Sequence, residues 1–150
     1  MTNDPRGDGD LRTRVLFICT HNSARSQMAE GLLRARAGDR FAAFSAGTEA
    51  TEVRPLAVRA MDEIGIDIRG QESKTLHRYL DQPFDLVVTV CDDARESCPV
   101  FPGACRMAHW SFEDPSRATG TEDERLTVFR RVRDEIAARV DALIGGDDPA

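Results

Sequence analysis

The sequence predicts an α/β fold: a single-domain, open, parallel four-stranded sheet flanked by helices. Three observations carry this. The runs Val15-Leu16-Phe17-Ile18 and Phe84-Asp85-Leu86-Val87-Val88-Thr89-Val90 read as strands buried on both faces, not as the alternating pattern of a sheet with one wet face. Segments of helical period follow the strands, so strand and helix alternate along the chain. A length of 150 residues suits one domain with an adequate core.

Taken in order, residues 1–12 are rich in Asp, Gly and Pro and are expected to form a disordered tail before a domain spanning residues 13–144. Residues 13–18 form the first strand. Residues 27–37 form a helix with Met28, Ala29, Leu32 and Leu33 on its apolar face, closed by Gly38. Residues 41–45 form a short strand that ends at Ala46-Gly47. Residues 55–64 form a second helix, with Pro55 in its first turn and Gly65 just past its end. Residues 76–79 form a short helix, residues 84–90 the clearest buried strand, and residues 109–112 a short strand or an extended segment. Residues 121–144 form a long final helix, apolar at Leu126, Phe129, Val132, Ile136, Val140 and Leu143, with the acidic run Glu122-Asp123-Glu124 in its first turn. Gly145-Gly146 stops it, and residues 145–150 are expected to be a flexible tail.

Composition narrows the function. The net charge of −6 makes the chain a poor partner for nucleic acid, while a small oxyanion needs only a local positive site. No apolar run approaches the roughly 20 residues that span a bilayer, and residues 1–14 carry no apolar signal segment. The expectation is a cytoplasmic protein that binds no membrane. In that compartment four cysteines suggest catalysis or redox cycling before structural disulfides.

The richest stretch is Cys19-Thr20-His21-Asn22-Ser23-Ala24-Arg25-Ser26. It puts a thiol at the end of a strand and a loop at the N-terminus of a helix. Backbone N–H groups and the helix dipole at such a terminus attract an anion, and the same field favours thiolate over thiol. The Arg25 guanidinium matches two oxygens of a tetrahedral oxyanion. The Ser26 hydroxyl can donate to the Cys19 sulfur. Asn22 bonds locally and tolerates left-handed backbone. Residues Thr20, His21, Asn22, Ser23, Ala24 and Arg25 are thus the candidate oxyanion-binding loop, with Cys19 as nucleophile.

Cys91 and Cys98 stand as Cys-x6-Cys. Zinc sites use Cys-x2–4-Cys pairs and a second pair is missing, so no metal is expected. Two buried small hydrophobes and a redox pair remain as readings. If the segment were helical, the two Cα atoms would be roughly 10 Å apart along the axis. A disulfide needs them within about 7 Å, so forming one would require the segment to unwind. Asp114 precedes Pro115, which biases it to extended backbone, from where it can lean into the crevice as a general acid; Asp-Pro is also an ordinary turn. Trp110 can wall the site or fill the core. Cys105 reads as a buried spare thiol. His77 and His109 carry no specific signal.

Together these segments resemble a known family. The stretch from Val15 to Gly31, with Cys19-Thr20-x-Asn22-Ser23-x-Arg25-Ser26-Gln27-Met28-Ala29-Glu30-Gly31, is similar to the signature of the thioredoxin-coupled arsenate reductases. These share the low-molecular-weight tyrosine phosphatase fold, with its strand–P-loop–helix site. Ser45-Ala46-Gly47, Cys91, Cys98-Pro99, His109-Trp110 and Asp114-Pro115 match in register, so the resemblance covers about residues 13 to 144.

The resemblance implies a relay. Cys19 attacks arsenate held by the loop and Arg25, and Asp114 protonates the leaving oxygen. Cys91 then attacks Cys19 and arsenite leaves. Cys98 attacks Cys91, and the redox-active Cys91–Cys98 disulfide is reduced by thioredoxin. No cofactor is bound; phosphate and sulfate are expected competing anions, and the protein is expected to be a monomer. His21 stands where the family commonly has Gly, and Ala24 where many members have Cys. Some members bind potassium through Asn, Ser and carboxylate groups, which Asn22, Ser45 and Glu30 match. Lys74 stands where those members carry a carboxylate, so its ammonium is expected to replace the cation. The alternative is a low-molecular-weight tyrosine phosphatase, which would use the same Cys19, Arg25, Ser26 and Asp114. It would want aromatic residues, often Tyr, near the Asp-Pro, and this chain has one Tyr, Tyr79. A non-catalytic anion or redox sensor would not need all of Cys19, Arg25 and Asp114.

Overall fold

In the computed structural model, residues 10–92, 101 and 103–147 are described. The four strands are β1 (Thr13–Cys19), β2 (Phe41–Gly47), β3 (Phe84–Thr89) and β4 (Ala104–His109). They pair in the order β2-β1-β3-β4, all parallel. Among the described residues the complete α-helices are α1 (Arg25–Ala37), α2 (Pro55–Asp62) and α3 (Glu122–Ile144).

Val15, Leu16, Phe17 and Ile18 are fully buried, because β1 is an interior strand covered on both faces. Phe17 meets Trp110 on one side of the sheet. A second, edge-to-face cluster joins Phe44, Tyr79 and Phe84, with the Arg14 guanidinium over the Phe44 and Phe84 rings. Each such aromatic pair adds about 0.5–1.5 kcal/mol beyond the area it buries. Trp110 and Tyr79 are therefore core residues.

The connection β1–α1–β2 runs to one side of β1, while β3 lies on the other. The strand order thus reverses at β1. In an open parallel sheet the crevice outside the carboxyl ends of the strands at such a point is where ligands bind. Cys19 is the last residue of β1. Val90 follows β3 and donates to the Ile18 carbonyl at 2.8 Å, which brings Cys91 to the same crevice.

Several boundaries depart from the sequence expectations. Helix α1 begins at Arg25, two residues before the apolar pattern does, because the loop and not a side-chain cap starts it. Strand β2 continues through Ala46-Gly47. Helix α2 ends at Asp62, and Gly65 turns the chain with a φ of 79°. Thr121 is the N-cap of α3, in a reciprocal capping box with Glu124. The fourth strand is misplaced: it is 104–109, and residues 110–112 lie outside it. As an edge strand β4 exposes Cys105, Arg106 and Met107 in succession, so it shows neither alternation nor an apolar run. Cys105 is accordingly an exposed free thiol, not a buried one.

Gly47 is required at the crevice. A methyl group there would lie 2.5 Å from the Glu49 carbonyl oxygen, 2.7 Å from that of Thr20 and 2.8 Å from the Asn22 nitrogen, all backbone atoms. Gly47→Ala is expected to destabilise the protein by about 1–3 kcal/mol. A urea titration reads this, and an unchanged midpoint would contradict it.

Candidate active site

The loop between β1 and α1 turns its carbonyls away from the crevice. The Thr20 carbonyl accepts from the Glu49 amide (2.9 Å) and the Ser23 carbonyl from the Arg54 amide (2.8 Å). That of His21 accepts from Ser73 Oγ (3.0 Å) and Thr51 Oγ1 (3.3 Å), and that of Asn22 from Gln27 Nε2 (3.0 Å). Among the described residues none of the backbone N–H groups of residues 20–24 donates to a protein acceptor. Helix α1 has no side-chain cap, so its first turn adds further donors. This is the backbone arrangement that binds an oxyanion.

Asn22 is the one described non-glycine residue with positive φ, at 50°. Its Oδ1 accepts from Gln27 Nε2 (2.9 Å) and the Lys74 amide (2.8 Å), which fixes the amide's orientation. Its Nδ2 therefore faces Ser26 and donates to Oγ at 2.9 Å. Because Ser26 Oγ accepts there, its own proton is directed at the Cys19 sulfur, 2.8 Å away. A hydroxyl aimed at sulfur stabilises the thiolate and the sulfur as leaving group. Cys19 is 2% exposed, so a group reaching its sulfur must be small and shed its water.

A cleft of about 460 Å³ opens above the loop, lined by Thr20, His21, Arg25, Cys91, Phe112 and Asp114 among others. Arg25 Nη1 donates to the Phe112 carbonyl at 3.1 Å, and Nη2 lies 3.6 Å from Asp114 Oδ2. This aims the guanidinium across the cleft mouth. Asp114 has extended backbone and also caps the single 3-10 turn of Pro115–Arg117. The Asp-Pro pair is thus a turn, and that turn sets the Asp114 side chain at the cleft beside Arg25. Burial alone would lift its carboxyl. The Ser116 hydroxyl, the charge of Arg25, the Ser116 amide and Arg117 outweigh burial and hold it below the ordinary carboxylate value. His21 is half exposed at the rim, 3.4 Å from Glu49.

Cys91 is buried at the same cleft, its sulfur 3.4 Å from Thr20 Oγ1. Cys91 thus lines the cleft, and Thr20, the residue that follows Cys19, contacts its sulfur. Cys98 lies outside the described residues. Next to Cys91, Asp92 Oδ1 lies 2.9 Å from His109 Nε2, and His109 Nδ1 lies 2.7 Å from Thr89 Oγ1.

Behind the loop, Lys74 is buried with its ammonium 3.5 Å from Ser45 Oγ and 3.7 Å from Glu30 Oε1, donating to the Glu72 carbonyl at 2.7 Å. Ser45 donates to Glu30 at 2.5 Å. Burial pushes the Lys74 ammonium pKa down, and Glu30 works against that. Of the other three expected cation-site residues, two, Glu30 and Ser45, thus gather round the Lys74 ammonium. Asn22 instead holds the Lys74 backbone amide.

Sequence reasoning missed two contributors, Gln27 and Ser116. Thr20 was read as loop only, yet it contacts Cys91. Gln27 is buried on α1, where its polarity signals a partner. Ser116 gave no signal at all, because its role depends on the turn of Pro115–Arg117.

The family of low molecular weight phosphotyrosine protein phosphatases matches residues 14–146. An arsenate reductase of Halalkalibacterium halodurans is 52% identical over 126 residues, covering 84% of this chain and 91% of the relative. A solved arsenate reductase in its phosphate-binding state superposes with a TM-score of 0.77 at 34% identity, covering 91% of this chain and 99% of the other. A thioredoxin-dependent arsenate reductase of Corynebacterium glutamicum superposes with a TM-score of 0.66 at 29% identity, covering 91% of this chain and 62% of the other.

Proposed function

The chain belongs to the low molecular weight phosphotyrosine protein phosphatase family and, within it, to the arsenate reductases; on that premise we propose that it reduces arsenate to arsenite by a relay through Cys19, Cys91 and Cys98, with thioredoxin as reductant. The observation that carries this is the second thiol in the anion crevice, Cys91 beside Thr20. Ester hydrolysis has no use for it.

In the proposed reaction the Cys19 thiolate attacks arsenic while the loop amides and Arg25 hold the other oxygens. A sulfur–arsenic bond forms, an arsenic–oxygen bond breaks, and the oxygen leaves as water. Asp114 faces that oxygen across the cleft. Before substrate binds it is an ionised carboxylate. The incoming oxyanion draws Arg25 toward itself and raises the carboxyl's proton affinity, so the proton arrives with the substrate. The Cys91 thiolate then attacks the Cys19 sulfur. A disulfide forms, the bonding pair of sulfur and arsenic passes to arsenic, and As(V) becomes As(III). Cys98 attacks Cys91, Cys19 is released, and a thioredoxin dithiol reduces the Cys91–Cys98 disulfide. The Thr20 hydroxyl lies 3.4 Å from the Cys91 sulfur, beside the path between the two thiols. The described thioredoxin-dependent relative of Corynebacterium glutamicum supports this choice of reductant.

The test is arsenite production with NADPH, thioredoxin and thioredoxin reductase. Steady turnover is expected with thioredoxin; turnover with a small thiol alone and none with thioredoxin would refute the coupling. Among the described residues no helix is long and apolar enough to cross a membrane. We place the enzyme in the cytoplasm as a monomer, where reduced thioredoxin is available. Tyrosine phosphatase activity is the second reading, since the family and the Cys19, Arg25 and Asp114 set serve it equally. Against it, the one Tyr, Tyr79, is buried against Phe44 and Phe84 and not near Asp114-Pro115.

The Lys74 ammonium is proposed to do the work of a bound cation behind the loop. Arsenate turnover is therefore expected to change by less than about twofold when sodium replaces potassium at fixed ionic strength. A clear rate increase in potassium would sink this assignment.

A further inference from the structure

We infer that Ser116 is a specificity-determining residue: by donating twice to one oxygen of Asp114 it holds that side chain as a carboxylate, which restrains phosphate-ester cleavage more than arsenate reduction. The inference rests on the reductase reading above and deepens it.

The geometry is specific. Ser116 Oγ lies 2.6 Å from Asp114 Oδ1, and the Ser116 amide donates to the same oxygen at 3.0 Å. The other oxygen, Oδ2, faces two cations, Arg25 Nη2 at 3.6 Å and Arg117 Nε at 3.7 Å. Arg117 is 80% exposed, so water screens most of its effect. Arg25 is committed to the incoming oxyanion. The hydrogen bonds of Ser116 are the contacts that persist when substrate is bound. A hydroxyl that donates to a carboxylate favours the ionised form and opposes its protonation.

The two chemistries tolerate this differently. Ester cleavage expels an alkoxide or phenoxide, and a basic leaving group needs a proton in the transition state. Arsenate carries its own exchangeable protons on the oxygen that departs as water. The later steps of the relay exchange sulfur for sulfur and need no carboxylic acid. A carboxyl whose protonation Ser116 opposes thus costs the esterase reaction, whose ester oxygen arrives without a proton, more than the reductase, whose substrate brings the proton that Asp114 passes on.

The test compares wild type, Ser116→Ala and Ser116→Thr. The Ala variant keeps the backbone N–H that caps the turn and loses only the hydroxyl. Hydrolysis of phenyl phosphate at neutral pH is expected to rise about tenfold in Ser116→Ala, the order expected when a carboxylate loses one hydrogen bond. p-Nitrophenyl phosphate has a good leaving group and is expected to respond less than phenyl phosphate; thioredoxin-coupled arsenate turnover is expected to rise less than phenyl phosphate hydrolysis, so the ratio of those two rates rises. Ser116→Thr restores the wild-type ratios. Carbon-13 NMR titration of Asp114 reads the same device without turnover: its midpoint rises in the Ala variant and returns in the Thr variant. An unmoved Asp114 titration, or a phenyl phosphate rate that stays level or falls, overturns the inference. If wild type fails to reduce arsenate while phenyl phosphate and the titration respond as stated, the role of Ser116 in ester cleavage stands and the reductase reading fails.

Discussion

Cys19→Ser loses arsenate reduction by on the order of 10⁴-fold or more, as expected when a covalent nucleophile is removed from a unit that acts together. The serine hydroxyl has nearly the same size, but it does not ionise near neutrality and cannot pass two electrons to a second sulfur. The other cysteines are expected to fail at different points. Cys91→Ser forms the Cys19–arsenic adduct and releases no arsenite. Cys98→Ser releases about one arsenite per enzyme and then stops, since Cys19 stays trapped with Cys91. Cys105→Ser keeps full turnover, because Cys105 lies exposed on the edge strand β4. Quenched-flow measurement of arsenite, with mass spectrometry of the trapped disulfides, separates these outcomes. Full turnover by Cys98→Ser would overturn the relay.

Arg25→Lys is expected to reduce kcat/KM for arsenate by about 10²–10³-fold, in the range seen when a positioned donor to developing charge is lost. An ammonium keeps the charge but not the planar fork. Arg25 also spans the cleft mouth, donating to the Phe112 carbonyl while facing Asp114, and a lysine cannot hold both directions at once. Iodoacetamide labelling of Cys19 reports the integrity of the loop in the variant. Wild-type kcat/KM in Arg25→Lys would show that charge alone binds the oxyanion here.

The strand–loop–helix of Cys19 to Ser26 was legible because its chemistry is local: the thiol, the loop and the guanidinium lie within eight residues, and the buried run before them marks the strand. The long helix α3 was legible because its capping box and apolar period are written into consecutive turns. The edge strand β4 was not, since three of its residues face solvent and its place comes from pairing with β3. Cys105 was misread for the same reason.

The local pattern of residues thus announced a parallel α/β chain carrying a thiol in an oxyanion loop. What required the folded chain was the company that thiol keeps. Cys91 reaches the crevice because β3 lies beside β1, and Thr20 then meets its sulfur over 71 positions of chain. Phe112 and Asp114 reach Arg25 from the far side of the cleft, and Lys74 comes up behind the loop to Glu30 and Ser45. Spacing along a chain constrains contacts only within a turn or two of helix or a tight loop. Contacts between distant segments depend on which strands pair, and that follows from burying the whole apolar core at once.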